Sequence, residues 1–384
     1  MSQSQSITRN EQPDTCGPSE NLGPRSSNSV STHRSGGPRR VVMFVPLFLP
    51  HIGGVERHVD RIARGLNERG WSVSIVTVKH EPTLPDRENL DGVSLHRIPR
   101  PRRFLVWLWI IRHLSLMSRA EVIHCHDYLT FYKWFLPFRF LLFWIPVYVT
   151  FHGFEGYPVQ PSVIRRRKLV AALSNGYFCV GRYLSKWYGT ECTRVLIGAT
   201  DCSPDPAIKR EENRLVILGR LEQDTSPMGV LEAVQILKER HGTKLVVDVC
   251  GDGALRHSLE NYANSHDLQV TFHGTVSEMV PFLSRARFVI ASGYLSMLDA
   301  MACGATVLAY APNPLRNDYW SIEDLDGGAL TVSMTPDELA DSLHRLSTEP
   351  RETENKTRKG MDFARSQSWE YLVNQYLDLF GVRL

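Results

Sequence analysis

The chain has 384 residues, enough for two domains of ordinary size with a core each. Hydrophobic residues make up 42% and charged residues 22%, the balance of a soluble globular protein. With 44 basic against 41 acidic side chains the net charge is only +3, which excludes wholesale nucleic-acid binding and makes any basic patch local.

Residues 1–40 are Ser, Asn, Gly, Pro and charge without an apolar run. No signal-peptide core is present there, and too little apolar surface exists to offset the entropy of ordering, so disorder is expected to about Arg40. Folding signals start at Val41. An apolar run of strand length covers 41–47, and a turn follows at Pro50-His-Ile-Gly-Gly54. Val55, Val59, Ile62, Ala63 and Leu66 then fall on one face of a helix. Gly70 ends it, and 71–78 reads as the next strand. Strand, glycine turn, helix, strand is a βαβ unit, and a parallel sheet follows from it. Further strands are expected at 93–98, 122–126, 147–151 and 176–180, with aromatic-rich helices at 105–116 and 132–143.

The stretch 201–206 and the charged 209–213 read as a linker. A second α/β series follows, with strands at 215–218, 244–250, 269–272, 288–291 and 306–310. Helices are expected at 227–240, 254–266, 280–286 and 298–303. Thr335-Pro336-Asp-Glu338 opens another, with Thr as cap and Pro in the first turn. The last helix runs over 369–380. The longest uncharged stretches, 104–111 and 140–151, fall short of the roughly 20 residues that span a bilayer. Cysteines at 16, 125, 179, 192, 202, 250 and 303 show no metal-ligand spacing and read as reduced thiols of a cytosolic protein.

Five features carry chemistry. Gly53-Gly54-Val-Glu56 joins a strand to a helix start, whose unpaired N–H groups suit a phosphate; a bare turn is the other reading. The dinucleotide pattern GxGxxG is absent, which argues against a nicotinamide enzyme. Gly219-Arg220 ends the strand that opens the second domain, where an Arg suits a diphosphate or a surface ion pair. Gly293-Tyr294-Leu295-Ser296 leads into an apolar helix bearing Asp299, an acid that needs a ribose hydroxyl pair or a structural partner. His124-Cys-His126-Asp127 and His152-Gly153 end adjacent strands on the edge that carries Gly54, and no further ligand cluster makes them a metal site. Arg102–Arg119 and Lys133–Trp144 are aromatic and basic, as in a membrane-interface segment or in helices packed on a sheet. Arg165-Arg-Arg-Lys168 adds to a basic face or is simply solvated.

Taken together, "PHIGGVERHVDRIARGLNERGWSVSIVT", "VIHCHD", "TFHGFEGYP", "LVILGRLEQD", "DVCGDGALRHSLE", "VTFHGTVSEM", "LDAMACGATVLA" and "SWEYL" resemble, in order and spacing, the family-4 glycosyltransferases of the GT-B fold. The resemblance runs from Val41 to the C-terminus. It implies two Rossmann-like parallel-sheet domains facing each other across a cleft, with a C-terminal helix crossing back to the first. The domains would be 41–205 on the acceptor side and 206–366 for donor binding, with 367–384 returning to the first.

The implied activity is retaining transfer of a hexose from a nucleotide diphosphate sugar to a glycan or lipid-linked acceptor. No cofactor or obligate metal is implied, and no nucleic acid. The protein is expected in the cytoplasm, in peripheral contact with the inner face of a membrane. Gly53 and Gly54 would approach the donor phosphates, and Arg220, beside Gly219, would neutralise the leaving diphosphate. Gly293 and the amides of Tyr294, Leu295 and Ser296 would hold it. His152 would sit by the donor sugar and Asp299 would take the ribose. His126, Asp127 and Glu155 would lie on the sugar or acceptor side. Three positions depart from the family pattern. Met228 replaces a basic residue, Asp299 replaces the second of two glutamates eight positions apart, and the first falls at Ala291. An alternative is therefore a catalytically impaired, nucleotide-sugar-binding paralogue that acts as a scaffold or partner subunit.

Overall fold

The computed structural model describes residues 38–99, 102–153, 156–192, 194–325 and 328–382. The expected disorder of 1–40 and the candidate Glu155 fall largely or wholly outside them.

Two sheets organise the chain. The first has eight strands: β1 (Arg40–Phe44), β2 (Ser72–Val78), β3 (Arg87–Leu90), β4 (Val93–Ile98), β5 (Val122–His126), β6 (Val147–Phe151), β7 (Gly176–Val180) and β8 (Val195–Leu196). Their spatial order is β3-β4-β2-β1-β5-β6-β7-β8, parallel except for the β3–β4 pair. The second has six parallel strands: β9 (Glu211–Leu218), β10 (Val246–Cys250), β11 (Val270–Gly274), β12 (Ala286–Ala291), β13 (Thr306–Tyr310) and β14 (Leu330–Ser333). Their order is β11-β10-β9-β12-β13-β14. Strand order reverses between β1 and β5 in one sheet and between β9 and β12 in the other. Such switch points leave a crevice at the carboxyl ends of the strands, and ligands bind there in open α/β sheets.

The central strands are covered on both faces and therefore read as nearly continuous apolar runs. On one face of the first sheet the Gly54–Glu68 helix buries Val59, Ile62, Ala63 and Leu66. The Trp369–Leu379 helix joins it there through Leu372, Val373, Tyr376 and Leu377, so the chain's last helix packs on its first domain. The opposite face carries helices Arg103–Arg112, Leu136–Leu141 and Pro161–Leu173. Their core runs on into the second sheet through Val216, Leu218, Ala291 and Met297.

Several elements differ from expectation. The 132–143 helix is two pieces, a wide π-type turn at Thr130–Phe135 and then Leu136–Leu141. Pro137 lacks the N–H that the Lys133 carbonyl would accept, and Trp107 Nε1 donates to that carbonyl instead at 3.0 Å. The 105–116 helix breaks at His113, whose ring stacks on Trp109 at 4.0 Å and shares the Trp109 carbonyl through Nδ1. The expected linker at 209–213 is partly strand, because β9 already begins at Glu211. The helix expected at 298–303 starts at Tyr294. Helices Pro161–Leu173, Pro314–Trp320 and Pro350–Ser366 and strands β3, β8 and β14 were not foreseen.

The expectation of reduced thiols throughout is corrected. Cys179 and Cys192 form a disulfide between the end of β7 and the loop before β8. Cys125, Cys250 and Cys303 are free and buried, and Cys202 is free and partly exposed.

Candidate functional site

On the first sheet the switch point presents the turn after β1. Gly53 is the extended residue that caps the Gly54–Glu68 helix. Glu56 folds back over this helix start and pairs with His51 at 3.3 Å. Burial raises the Glu56 carboxyl above its usual range, against the pull of its own backbone amide, of His51 and of Arg220 from the second domain. The helix start therefore already faces an internal acid, and that acid lies within the field of Arg220. Gly54 looks across the cleft: a Cβ there would meet Leu295 Cδ1 at 4.0 Å.

On the second sheet the turns after β9 and β12 lie side by side. Gly219 has φ +142, and a Cβ would stand 1.7 Å from Ser292 Oγ, so only glycine fits. Arg220 projects into solvent, 63% exposed, and donates to Asp224 at 2.6 Å. Only Ser292 and Gly293 separate β12 from the next helix. Gly293 N donates to Ser296 Oγ at 3.1 Å, and Ser296 Oγ donates to the Gly293 carbonyl at 2.7 Å. The Tyr294 amide donates to the Tyr319 hydroxyl at 3.1 Å, and the two rings stack 4.1 Å apart. Of the three amides expected to hold a diphosphate, the first is thus already bonded within the protein.

Asp299 is almost wholly buried. It accepts from Arg57 of the first domain through both oxygens and from Thr200 Oγ1 at 2.6 Å. Arg57 also lies 3.5 Å from Asp201, which pairs with Arg61 at 2.6 Å. Ala291 is the buried last residue of β12. Met228 packs against the core of the second sheet.

The histidines of the first sheet form a buried set. His126 Nδ1 and His152 Nε2 are 3.0 Å apart, and the His58 ring lies 5.0 Å from that of His152. His124 Nε2 bonds Thr150 Oγ1 at 2.8 Å, and the Tyr376 hydroxyl links Thr150 to His58 Nε2, each at 2.9 Å. Burial pushes His58 down to about 4 and His124 to about 3, and holds His126 and His152 well below the usual imidazole range. All four are neutral near pH 7. Asp127, at φ 75, accepts the Tyr128 amide at 2.6 Å. Among the described residues no group of three or more His, Cys, Asp or Glu side chains is placed to hold a metal ion.

Two residues of this neighbourhood were missed. Arg316, 3% exposed, donates to the Ser292 carbonyl at 3.0 Å and lies over the Tyr319 and Trp320 rings. Its helix is announced by Asn313-Pro314, a cap followed by Pro, with Asn313 Oδ1 accepting the Arg316 amide at 2.9 Å. Arg167, read as part of a basic or solvated run, is fully buried among Tyr128, Phe151 and Tyr188 and donates to the Gly153 carbonyl at 2.5 Å.

The space around these groups is uneven. A cavity of about 450 Å³ is lined by His51, Gly53, Glu56, Arg57 and Arg61. The hollow between Gly219, Arg220, Ser292 and Tyr310 holds only about 20 Å³. Every residue that lines the second belongs to the C-terminal domain, so a nucleotide base enters it only if those side chains move.

Two parallel sheets with facing switch points define a two-domain α/β transferase architecture. Residues 52–195 match Glycosyltransferase Family 4 and residues 200–361 match Glycosyl transferases group 1. The chain belongs to the family-4 glycosyltransferases of the GT-B fold. It is 34% identical over 89 residues to an uncharacterized glycosyltransferase, MJ1607, of Methanocaldococcus jannaschii, covering 21% of this chain and 22% of that protein. It is 25% identical over 201 residues to a human phosphatidylinositol N-acetylglucosaminyltransferase subunit, covering 47% of this chain and 41% of that protein. The chain thus spans less than half the length of these relatives.

A sucrose-phosphate synthase of Thermosynechococcus elongatus shares the fold, with TM-score 0.72, 17% identity and coverage of 90% and 100% of the two chains. So does Anabaena HepE, solved with UDP and glucose, with TM-score 0.68, 12% identity and coverage of 90% and 99%. Among the described residues no helix is long and apolar enough to cross a membrane.

Proposed function

We propose that the chain transfers a hexose, with retention, from a nucleotide diphosphate sugar to a glycan or lipid-linked acceptor. The observation that carries this is the facing of two switch points, Gly54 against Leu295, with Arg220 at the rim near Glu56. In the reaction the bond from the anomeric carbon to the diphosphate oxygen breaks. A new bond forms from that carbon to an acceptor hydroxyl oxygen, and the hydroxyl proton passes to the departing phosphate. Negative charge grows on the leaving group, so prepositioned donors lower the barrier. Arg220 and the amides of Leu295 and Ser296 take this role, and the Gly53–Gly54 backbone approaches the same phosphates. His152, neutral and anchored by His126, lies by the sugar. Asp127 and Glu155 serve the acceptor side, and Asp299 takes the ribose once Arg57 releases it. No metal is part of this reading.

The lipid-linked acceptor is supported by the human relative's name, and a uridine donor by the ligands of HepE. The cytoplasmic placement belongs to the same reading. The Cys179–Cys192 disulfide is its counter-observation, because such bonds are uncommon there.

A second reading, a nucleotide-sugar-binding subunit without turnover, is favoured by one observation: at the two positions where the family carries a base and a glutamate, Met228 packs against the core and Ala291 is buried, so neither supplies a polar group. Thermal-shift and turnover assays against uridine, guanosine and adenosine diphosphate sugars separate the two. Stabilisation with release of nucleoside diphosphate supports the transferase, and stabilisation without it supports the non-catalytic protein. No stabilisation by any donor defeats both.

A further inference from the structure

The free cysteines among the described residues are of two kinds. Cys125 lies in β5 and Cys250 ends β10, both buried, and burial raises both thiols, Cys250 to about 12. Thiols held in this way are inert. Cys202 and Cys303 instead meet each other, and the Cys303 thiol donates a hydrogen bond to the Cys202 sulfur. Cys202 is partly exposed on the passage between the two sheets. Cys303 is wholly buried at the end of the Tyr294–Ala302 helix.

Hydrogen bonds on both sides hold this contact in place. Thr200 Oγ1 donates to Asp299 at 2.6 Å and accepts the Cys202 amide at 3.1 Å. The Asp205 amide donates to Ser284 Oγ at 2.9 Å, so Cys202 lies between two anchors of the passage on the second domain. The Cys303 amide donates to the Asp299 carbonyl at 3.0 Å, and the Cys303 carbonyl accepts from Arg210 at 2.7 Å. Charge divides the two thiols. The bond from Cys303 holds Cys202 below the usual thiol range, with help from the Arg57 charge and against burial and Asp299. The same bond and burial hold Cys303 far above that range. An exposed sulfur inclined to ionise is thus backed by a protonated, buried one.

We infer that Cys202 and Cys303 form a peroxide-responsive dithiol, in which Cys202 is oxidised first and Cys303 resolves it to a disulfide. The Cys202 thiolate attacks one oxygen of hydrogen peroxide, and the O–O bond breaks. Cys202 becomes a sulfenic acid, and the second oxygen leaves as water with the proton that the thiol gave up. The Cys303 sulfur then attacks the Cys202 sulfur. An S–S bond forms, the S–O bond breaks, and the hydroxyl leaves as water with the Cys303 proton. Two thiols are oxidised and one peroxide is reduced. The bond makes covalent the seat of the passage on the helix that carries Asp299. It stands independently of sugar transfer.

Peptide mapping by mass spectrometry tests it on the full chain. The folded protein is treated with hydrogen peroxide at neutral pH, blocked with N-ethylmaleimide in urea, and digested without reductant. A linked Cys202–Cys303 peptide pair is expected, released by dithiothreitol, with Cys125 and Cys250 recovered as blocked thiols. Before oxidation, folded wild type should react with N-ethylmaleimide at Cys202 at least about tenfold faster than at Cys250. Cys303→Ala should stop Cys202 at the sulfenic acid, which dimedone captures, and Cys202→Ser should leave Cys303 reduced. The bond closes a loop of about 100 residues, so oxidised wild type should unfold at a higher temperature than reduced, and Cys202→Ser should not. Cys202 that survives peroxide as a thiol overturns the proposal. So does Cys202 linked to another cysteine, or oxidised beyond sulfenic acid while Cys303 stays reduced. An unmoved midpoint in protein that carries the bond overturns the covalent seat. The wild-type map decides the dithiol even where a variant fails to fold.

Discussion

Arg57 and Asp299, 242 positions apart in sequence, hold the two domains together through a forked ion pair at the centre of the cleft. Arg57 stands in the first turn of the helix that follows β1, and Asp299 stands on the helix that follows β12. The pair thus links the two switch points and uses the acid assigned to the donor ribose. Thr200, on the passage between the sheets, closes the arrangement with a bond to the same carboxylate.

Removing one partner strands a buried charge. Arg57→Ala should cost about 3–5 kcal/mol, nearer the lower figure because water reaches part of the guanidinium. Asp299→Asn keeps a polar group for Thr200 and should cost less. A double-mutant cycle by urea unfolding should return a coupling of at least about 1 kcal/mol. If the pair also competes with nucleotide, Arg57→Ala should bind uridine diphosphate more tightly, about tenfold for each 1.4 kcal/mol of competition removed. A coupling near zero, or weaker nucleotide binding by Arg57→Ala, contradicts the competing pair.

Arg220 has a different balance. It pairs with Asp224 on the surface, so Arg220→Ala should change stability by less than about 1 kcal/mol. Turnover should fall about 100- to 1,000-fold, the usual loss on removing one donor that faces developing negative charge. His152→Ala should harm turnover more than nucleotide affinity. Normal kcat in Arg220→Ala places the diphosphate elsewhere.

The legible part of this molecule was its sheets. Central parallel strands such as β1 and β13 bury both faces and announce themselves as apolar runs. The polar edge strand β3, Arg87–Leu90, carries no such signal. The Pro161–Leu173 helix was hidden because Arg167 holds one of its core positions, where Tyr128, Phe151 and Tyr188 accept the guanidinium. Arg316 likewise holds a core position of the Pro314–Trp320 helix, so only the Asn313-Pro314 start marks that helix in the sequence. Glycine turns after strands located both switch points. What no local pattern carries is the partner of each group: Arg57 for Asp299, Tyr319 for the Tyr294 amide, and Cys192 for Cys179.

The two glycines that matter most should respond oppositely to alanine. Gly219→Ala puts a methyl group into Ser292 at a φ that L-residues avoid, so it should destabilise by more than about 3 kcal/mol. Gly54→Ala meets only ordinary contact with Leu295 and removes a flexible residue from a helix start. Its stability should be unchanged or gain up to about 1 kcal/mol. If the Gly54 backbone must approach donor phosphate, turnover should nevertheless fall in that variant. Full activity with retained stability shows that position 54 needs no glycine for a ligand.

The buried histidines predict how stability depends on pH. His58 titrates near 6.5 when unfolded and near 4 when folded, because burial among neutral groups penalises its charged form. Between those values the unfolded chain takes up a proton that the folded chain refuses. Stability from this group is complete above about pH 6.5 and drains away as the pH falls toward 4. One pKa unit corresponds to about 1.4 kcal/mol, so the whole window is worth on the order of 3 kcal/mol for His58. His124, His126 and His152 act with the same sign. His58→Gln keeps a bond to Tyr376 and cannot titrate, so its unfolding free energy should fall less than wild type between pH 7 and pH 4.5. Urea titrations across that range should show the two curves converging as acid is added. Curves that run parallel place the His58 ring in contact with water, and the buried cluster with it.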